Sequence, residues 1–228
     1  MRFLLFAFIL AGCSCGAPQY AGHNYLDAQY INSPLGEGVL PDTDPLIRFD
    51  AFDCTTFVET VLADGDVKKL NQIRYKNGTI DFVSRNHFIE SDWLVNNSNL
   101  VENISSEFGK TAVRYVKIDK KSWFKKTHNI DTDFEPQDIA LVYLPYNAFD
   151  DISVSEPMIV LFVTDNTKIH DKIGTDLAVV HMGFLIPNGV LRHASSAQGR
   201  VVDVNFKEYI TQRKQNKNNI GIALVKIK

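Results

Sequence analysis

The stretch DCTTFVETVLADG, residues 53–65, predicts a helix that starts with a chemically reactive side chain. Asp53 is a typical N-cap residue, and Gly65 is a typical residue for ending a helix. Cys54 therefore falls in the first turn, where unpaired backbone N–H groups and the positive end of the helix dipole favour a thiolate. The apolar residues repeat along one face, as in a helix packed on a core: Phe57, Val58, Val61 and Leu62.

The sequence after Pro136 predicts a sheet. Short apolar or alternating runs there are bounded by Pro, Gly, Asn and Asp. The preceding segment, 68–126, is more polar and more typical of helices. Helices followed by an antiparallel sheet indicate an α+β fold, with this segment as a helical insertion. The predicted strands are Ile139–Leu144, Met158–Thr164, Ala178–Ile186, Val190–Ala194 and Ile220–Ile227.

Two histidines fall on neighbouring predicted strands, and the length of the loop between the strands decides whether they meet. A three-residue loop, 187–189, pairs Ile186 with Val190. His193 then lies on the same sheet face as His181, diagonally across at roughly 7–8 Å between backbones. A two-residue loop would place the two side chains on opposite faces.

Two neighbouring histidines can assist catalysis by a nearby thiol. One ring accepts the thiol proton, while the other hydrogen-bonds the far nitrogen of the first and fixes its tautomer. Gly183, between the histidines on the sheet, is expected to leave room for the helix that carries Cys54.

The first residues predict an export signal. Arg2 precedes an apolar run, 3–10, that is too short to span a bilayer. The run LAGC, 10–13, resembles the lipobox of bacterial lipoproteins, which implies that Cys13 is acylated and becomes the new N-terminus. The alternative is an ordinary signal peptide with a chance cysteine. Because Ser14 stands where Asp favours retention in the inner membrane, the resemblance points to an outer-membrane anchor facing the periplasm.

Composition excludes several other classes of protein. The chain has 228 residues, 24 Lys plus Arg against 27 Asp plus Glu, and 45% apolar residues, as in a folded globular protein. No basic run with interleaved aromatics indicates nucleic-acid binding. With Cys15 in a tether, Cys54 is the single cysteine of the folded part, so a disulfide scaffold is excluded. No zinc-binding spacing is present, the two histidines lack an obvious third metal ligand, and no cofactor is expected.

Two separated stretches carry a family resemblance. DCTTFVE, starting at Asp53, and HMGFLIPNGVLRHAS, starting at His181, resemble the NlpC superfamily of papain-like cell-wall amidases and endopeptidases. In that superfamily a cysteine on a helix precedes two polar partners on a sheet. The stretches SRNHFIESDW and GTDLAVVH, together with the closing segment 209–225, are similar to the branch described as N-acetylmuramoyl-L-alanine amidase-like. The resemblance covers the chain from about Asn24 to its end.

The resemblance implies a papain-like fold and a role for each matching residue. Cys54 corresponds to the nucleophile, His181 to the general base, and His193 to the third member that orients the base. One departure is the sequence PQD, 136–138, where such enzymes often have a Gly-Asp turn. The segment between Cys54 and His181 is also longer than minimal members of the superfamily need, so we expect it to build walls around the substrate.

Other polar and aromatic residues have expected roles in substrate binding or in packing. Arg85 is expected to bind a stem-peptide carboxylate through a bidentate pair, with Trp93 nearby. His87 either lines the substrate pocket or packs in the interior. Glu59 is expected to form a structural ion pair. The remaining histidines are expected at the surface: His23, His128 and His170.

The predicted organisation is a signal peptide over 1–12, a tether over 13–23 and one catalytic domain over 24–228. The predicted function is a lipid-anchored hydrolase that acts on peptidoglycan fragments in the bacterial cell envelope. The resemblance implies cleavage between N-acetylmuramic acid and L-Ala. Three alternatives stay open: a γ-D-glutamyl-diamino-acid endopeptidase, an acyltransferase that uses the same thioester, and a non-catalytic peptidoglycan-binding lipoprotein.

Overall fold

The computed structural model describes residues 21–228. The predicted signal peptide and the two cysteines near it, Cys13 and Cys15, lie outside the described residues. Within 21–228, no helix has both the length and the apolar character needed to cross a bilayer.

The described chain forms a ten-stranded sheet in the order β2-β1-β9-β8-β7-β6-β10-β5-β4, with β3 paired to β10. The neighbouring strands run antiparallel, except that β1 and β2 are parallel. The strands are β1 Gln29–Tyr30, β2 Ala51–Phe52, β3 Val101–Asn103, β4 Ala112–Ile118, β5 Gln137–Pro145, β6 Met158–Thr164, β7 Val179–Ile186, β8 Val190–Ser195, β9 Arg200–Asn205 and β10 Asn219–Ile227.

Six α-helices are described within 21–228. The helices are α1 Cys54–Ala63, α2 Val67–Arg74, α3 Leu94–Asn96, α4 Lys120–His128, α5 Lys168–Ile173 and α6 Phe206–Arg213. A π-helical turn, Ile89–Trp93, leads directly into α3. The 3-10 turns are His23–Tyr25, Lys76–Gly78 and Ser105–Glu107.

The α+β class predicted from the sequence is confirmed, and each of the five predicted strands forms within two residues of its expected ends. The segment 68–126 is only partly helical, because β3 and β4 also lie in it. β4 pairs with β5 along its whole length, from Ala112 opposite Tyr143 to Ile118 opposite Gln137. The predicted helical insertion is therefore partly an extension of the sheet.

Helix α1 has the features that its sequence predicts. The Asp53 carboxylate accepts the Thr56 backbone N–H at 2.8 Å, and the Thr56 hydroxyl accepts the Asp53 N–H, which forms a reciprocal cap. The four apolar residues of the predicted face are buried, and the Phe57 ring meets Phe184 of β7 edge-on at 5.8 Å. The cap and this packing fix the start of α1, and with it Cys54, against the middle of the sheet.

The β7–β8 hairpin has the predicted three-residue loop. Ile186 pairs with Val190, and Phe184 pairs with Arg192. Gly183 has a different role from the one expected, because a Cβ atom built on it would lie 2.7 Å from the Arg192 carbonyl oxygen and 2.8 Å from the His193 Cβ. The missing side chain therefore makes room for strand β8.

A β-bulge lies immediately before His181. Phe162 pairs with His181 and Val163 pairs with Val179, so Val180 has no partner on β6. A bulge locally disrupts the ladder and changes the direction of the side chains that follow it. The orientation of His181 therefore depends on how the first residues of β7 are held.

We expect Asp53→Ala to lower the free energy of unfolding by about 2 kcal/mol and Asp66→Ala by about 1 kcal/mol. Asp53 accepts hydrogen bonds from the Thr56 N–H, the Thr56 hydroxyl and the Ser33 N–H. Asp66, the N-cap of α2, accepts one from the Lys69 N–H and serves as the matched control. Urea denaturation measures both values, and equal losses would contradict the larger role of Asp53.

Candidate active site

The two predicted histidines are in direct contact. His181 Nε2 lies 2.8 Å from His193 Nδ1, and the ring centroids are 4.9 Å apart with the rings nearly perpendicular. His181 is half-buried, and His193 is only 2% exposed. The hydrogen bond leaves Nδ1 of His181 as the ring nitrogen that faces other partners.

Cys54 lies at the N-terminus of α1, next to the strand that carries His181. The backbone N–H of Met182, the residue after His181, and the Thr55 hydroxyl, 3.9 Å from the sulfur, act as donors that lower the pKa of the thiol. Burial, followed by the charge of Asp53, raises the pKa of the Cys54 thiol to about 11, although these two hydrogen bonds act in the opposite direction. The raised pKa opposes the sequence-based expectation of a thiolate, because desolvation is the largest influence on this thiol.

Both histidines are neutral at ordinary pH. Burial, His193 and Arg213 hold the pKa of His181 well below its usual value. Burial and Arg213 lower the pKa of His193 to about 4, while Asp203 acts in the opposite direction. The site therefore combines a protonated thiol with a neutral imidazole pair, so the thiol needs a base before it can act as a nucleophile.

The sequence analysis assigned no role to two tyrosines near the site, although Tyr209 begins the closing segment that resembles the family. The Tyr209 ring on α6 lies 5.0 Å from the His193 ring and 6.4 Å from the His181 ring. Tyr30 on β1 has a pKa raised by burial, then by the charges of Cys54 and Asp53. β1 has only two residues, too few for a recognisable strand pattern.

The predicted anion-binding side chain, Arg85, is already paired within the protein. Its guanidinium contacts Glu37 at 2.6 Å and Asp42 at 2.8 Å, and its side chain is 12% exposed. Both carboxylates belong to the arm before β2. Arg85 therefore attaches this arm beside α1, and a substrate carboxylate would have to compete with two resident carboxylates.

His87 packs in the interior and also lines a cavity, so its position agrees with both roles that the sequence leaves open. Its Nε2 lies 2.6 Å from the Phe82 carbonyl oxygen, and its ring packs against Trp123 at 4.7 Å. Burial lowers the pKa of His87 to about 3. Trp93 differs from the expectation of a substrate contact, because its side chain is 0% exposed and lies in the core.

A polar cavity of about 130 Å³ lies beside the N-terminus of α1. It brings together residues from the arm, α1, α2 and the loop before the π-helical turn. Arg85 and His87 both line it, whereas Trp93 does not. The other polar residues that line it are Ser33, Asp53, Thr55, Thr56, Glu59, Arg74 and Asn86.

The remaining expectations concern ion pairs, surface histidines and metals. Glu59 forms the predicted structural pair, with Arg74 at 3.4 Å, and both side chains are buried. The three histidines expected at the surface are exposed: His23, His128 and His170. Among residues 21–228, no three His, Cys, Asp or Glu side chains form a group that could hold a metal ion.

A sequence model of the family described as AmiA-like, N-acetylmuramoyl-L-alanine amidase-like, matches residues 20–221. The chain belongs to this family. Membership in the amidase-like family supports a hydrolase that acts on peptidoglycan-related substrates. No protein with a curated description matches the sequence.

Solved structures share the fold of this member of the amidase-like family. Protein LPG0564 from Legionella pneumophila superposes with a TM-score of 0.83 at 24% identity, over 92% of this chain and 87% of that chain. An N-acetylmuramoyl-L-alanine amidase from Bacteroides uniformis superposes with a TM-score of 0.71 at 23% identity, over 92% of this chain and 98% of that chain. At these identities the two comparisons establish the shared fold alone.

We expect alkylation of Cys54 in a His181→Ala variant to keep accelerating as the pH is raised towards about 11, the pKa of the buried thiol. The reason is that only the thiolate reacts and the variant has no base beside it. Mass spectrometry of the tryptic peptide 49–68 follows Cys54 separately from Cys13 and Cys15. A rate that levels off near neutral pH would contradict the raised pKa.

Proposed function

We propose that this protein is a cysteine hydrolase that cleaves the amide bond between N-acetylmuramic acid and L-Ala in peptidoglycan fragments. The observation that carries the proposal is the 2.8 Å hydrogen bond between His181 on β7 and His193 on β8, because the helix that begins with Cys54 packs on β7. A nucleophile, a base and a group that orients the base are the parts that thiol catalysis needs. Membership in the amidase-like family supports the choice of substrate.

The first step is proton transfer from the Cys54 thiol to His181 as the sulfur attacks the carbonyl carbon. A neutral imidazole is able to accept this proton, and the lowered pKa of His181 keeps the ring neutral. Because Nε2 of His181 is occupied by His193, the proton goes to Nδ1. In the tautomer that the proposal uses, His181 Nε2 carries the hydrogen and donates it to His193 Nδ1, which leaves a free lone pair on His181 Nδ1.

The second step breaks the carbon–nitrogen bond. The lactyl carbonyl of the muramic acid becomes bonded to the Cys54 sulfur as a thioester, and the L-Ala nitrogen leaves with the proton held by His181. Water then attacks the thioester, His181 takes a proton from it, and the acid and the thiol are released. The backbone N–H of Cys54, in the first turn of α1, is the donor that we propose for the developing oxyanion.

The polar cavity beside α1 supports binding of a charged or strongly polar part of the substrate. Arg85 and His87 line this cavity together with Asp53 and Thr55. Because Asp53 and Thr55 are the sequence neighbours of Cys54, the cavity lies beside the proposed nucleophile. We assign Arg85 and His87 to the substrate-binding wall. Trp93 is buried and does not line the cavity, so we do not assign it to this wall.

Defined muropeptides with an intact muramic acid and a stem peptide test the proposed bond by mass spectrometry of the products. Release of a peptide that starts with L-Ala supports the amidase. Release of a fragment that starts with the diamino acid would instead establish the γ-D-glutamyl endopeptidase, which can use the same three side chains. Transfer of the acyl group to an added amine would establish an acyltransferase, and no cleavage would favour a binding protein.

We expect Cys54→Ala to abolish cleavage, because the nucleophile is lost while little volume changes. His181→Ala should lower kcat by about 10²–10⁴-fold, the usual contribution of a general base. His193→Ala should lower kcat less, because the orientation of His181 is partly recoverable but proton transfer is not. Equal losses in the two histidine variants would contradict the assigned roles, and cleavage by Cys54→Ala would overturn the cysteine mechanism.

We further propose that Cys13 is acylated and anchors the protein in the outer membrane of the cell envelope, facing the periplasm. The sequence LAGC before and at this position supports the proposal, as do the preceding charge and apolar run. A lipid anchor would keep the hydrolase close to the peptidoglycan layer.

We expect labelled fatty acid to be incorporated into the wild-type protein and the Cys13→Ser variant to be released from membranes, because acylation needs the thiol of Cys13. Fractionation of cells that express each protein measures the distribution. Cys15→Ser is the matched control and should stay in the membrane fraction. Wild-type protein that carries no label and is found wholly in the soluble fraction would refute the anchor.

A further inference from the structure

Glu90 is a buried carboxyl group that the proposed mechanism does not use. It lies in the π-helical turn Ile89–Trp93, and its side chain is 3% exposed. Its Oε1 accepts the backbone N–H of Ala178, and its Oε2 has no hydrogen-bond partner among the described residues. A buried polar atom without a partner lowers stability, and an apolar side chain of similar size would avoid this penalty.

The hydrogen bond of Glu90 holds the chain at a sensitive position. Ala178 is the residue directly before β7, and His181 follows three residues later. The Ala178 carbonyl oxygen accepts the Thr164 N–H at 2.8 Å. The sheet therefore holds the carbonyl group of Ala178, and Glu90 holds its N–H group. The bulge at Val180 lies between this anchored residue and His181.

A bulged strand has one fewer ladder contact where the extra residue lies, so its geometry depends more on contacts from outside the sheet. Glu90 supplies such a contact from a separate element, 88 residues earlier in the chain. We propose that Glu90 is a positioning residue that fixes the bulge and thereby directs His181 at the Cys54 thiol. The proposal rests on the proposed function in one respect, namely that His181 is the base.

Loss of the Glu90 acceptor frees the first residues of β7 to shift. A displacement of about 1 Å between reacting groups lowers a catalytic rate by about 100-fold. Substrate affinity should change little, because Glu90 is buried and does not line the cavity beside α1. The expected signature is therefore a fall in kcat with KM nearly constant, which a general loss of structure would not produce.

The experiment compares Glu90→Met with Glu90→Gln in the full chain. Methionine keeps the length of the side chain but cannot replace the acceptor, whereas glutamine retains a carbonyl oxygen for the Ala178 N–H. We expect Glu90→Met to lower kcat by about 100-fold and Glu90→Gln to restore most of it. Wild-type kcat in a folded Glu90→Met variant, or a glutamine variant as impaired as the methionine variant, would overturn the proposal.

Asp92→Leu is the matched control. Asp92 is a buried carboxylate of the same π-helical turn, but its partners are Lys120, Ser91 and the Phe88 N–H, and none of them is on β7. This variant should lose stability in urea denaturation and keep the kcat of its folded fraction. An equal loss of kcat in Asp92→Leu and Glu90→Met would show a general structural effect and would overturn the proposal.

If Glu90→Met does not fold, Glu90→Asp carries the test. Its carboxylate is one methylene shorter and is withdrawn from the Ala178 N–H, so kcat should fall while KM stays nearly constant. Wild-type kcat in Glu90→Asp would overturn the proposal.

A substrate-free readout separates this proposal from the proposed function. Alkylation of Cys54 by iodoacetamide at neutral pH, followed on the peptide 49–68, depends on proton removal by His181 and not on the identity of the substrate. We expect Glu90→Met to react as slowly as His181→Ala, and Glu90→Gln and Asp92→Leu to react like wild type. Wild-type reactivity in Glu90→Met would overturn the positioning role even if no muropeptide is cleaved.

Discussion

The hydrogen bond between His181 and His193 is the contact on which the rest of the site depends. It exists because the three-residue loop sets the β7–β8 register and because Gly183 has no side chain to keep β8 away. A shift of one residue in this register would turn His193 to the other face of the sheet. With the register fixed, Nε2 of His181 is hydrogen-bonded to His193, and Nδ1 of His181 is left to accept a proton.

Burial then sets the charge state of this arrangement. The same desolvation that raises the pKa of Cys54 lowers the pKa values of both histidines, so the resting site is uncharged. A neutral pair avoids the cost of desolvating a thiolate and an imidazolium at a site that is only partly open to water. In the proposed mechanism, charge develops only as the reaction proceeds, and the backbone N–H groups of Met182 and Cys54 favour negative charge on the sulfur because both lower the thiol pKa.

A buried ionic network holds the arm before β2 against the flank of α1. Arg74 pairs with Glu59 of α1 and donates to the Leu35 carbonyl oxygen, while Arg85 pairs with Glu37 and Asp42. Removing one partner from such a buried pair leaves an uncompensated charge, at a cost of about 3–5 kcal/mol. The cavity beside α1 therefore has polar walls held by ion pairs, which suits the proposed binding of a polar part of the substrate.

The sequence by itself determined the elements that rest on local interactions. Apolar spacing and the Asp53 cap predicted α1, turn residues predicted the β7–β8 hairpin and its register, and the three residues of the proposed triad followed from these two elements. Only the tertiary structure decided the contacts between distant segments. Arg85 meets carboxylates 43 and 48 residues away, Glu90 holds a strand 88 residues away, and β4 joins the sheet through its pairing with β5. The charge state of Cys54 also depended on the tertiary structure, because a sequence shows the helix start but not how much water the packed chain removes from it.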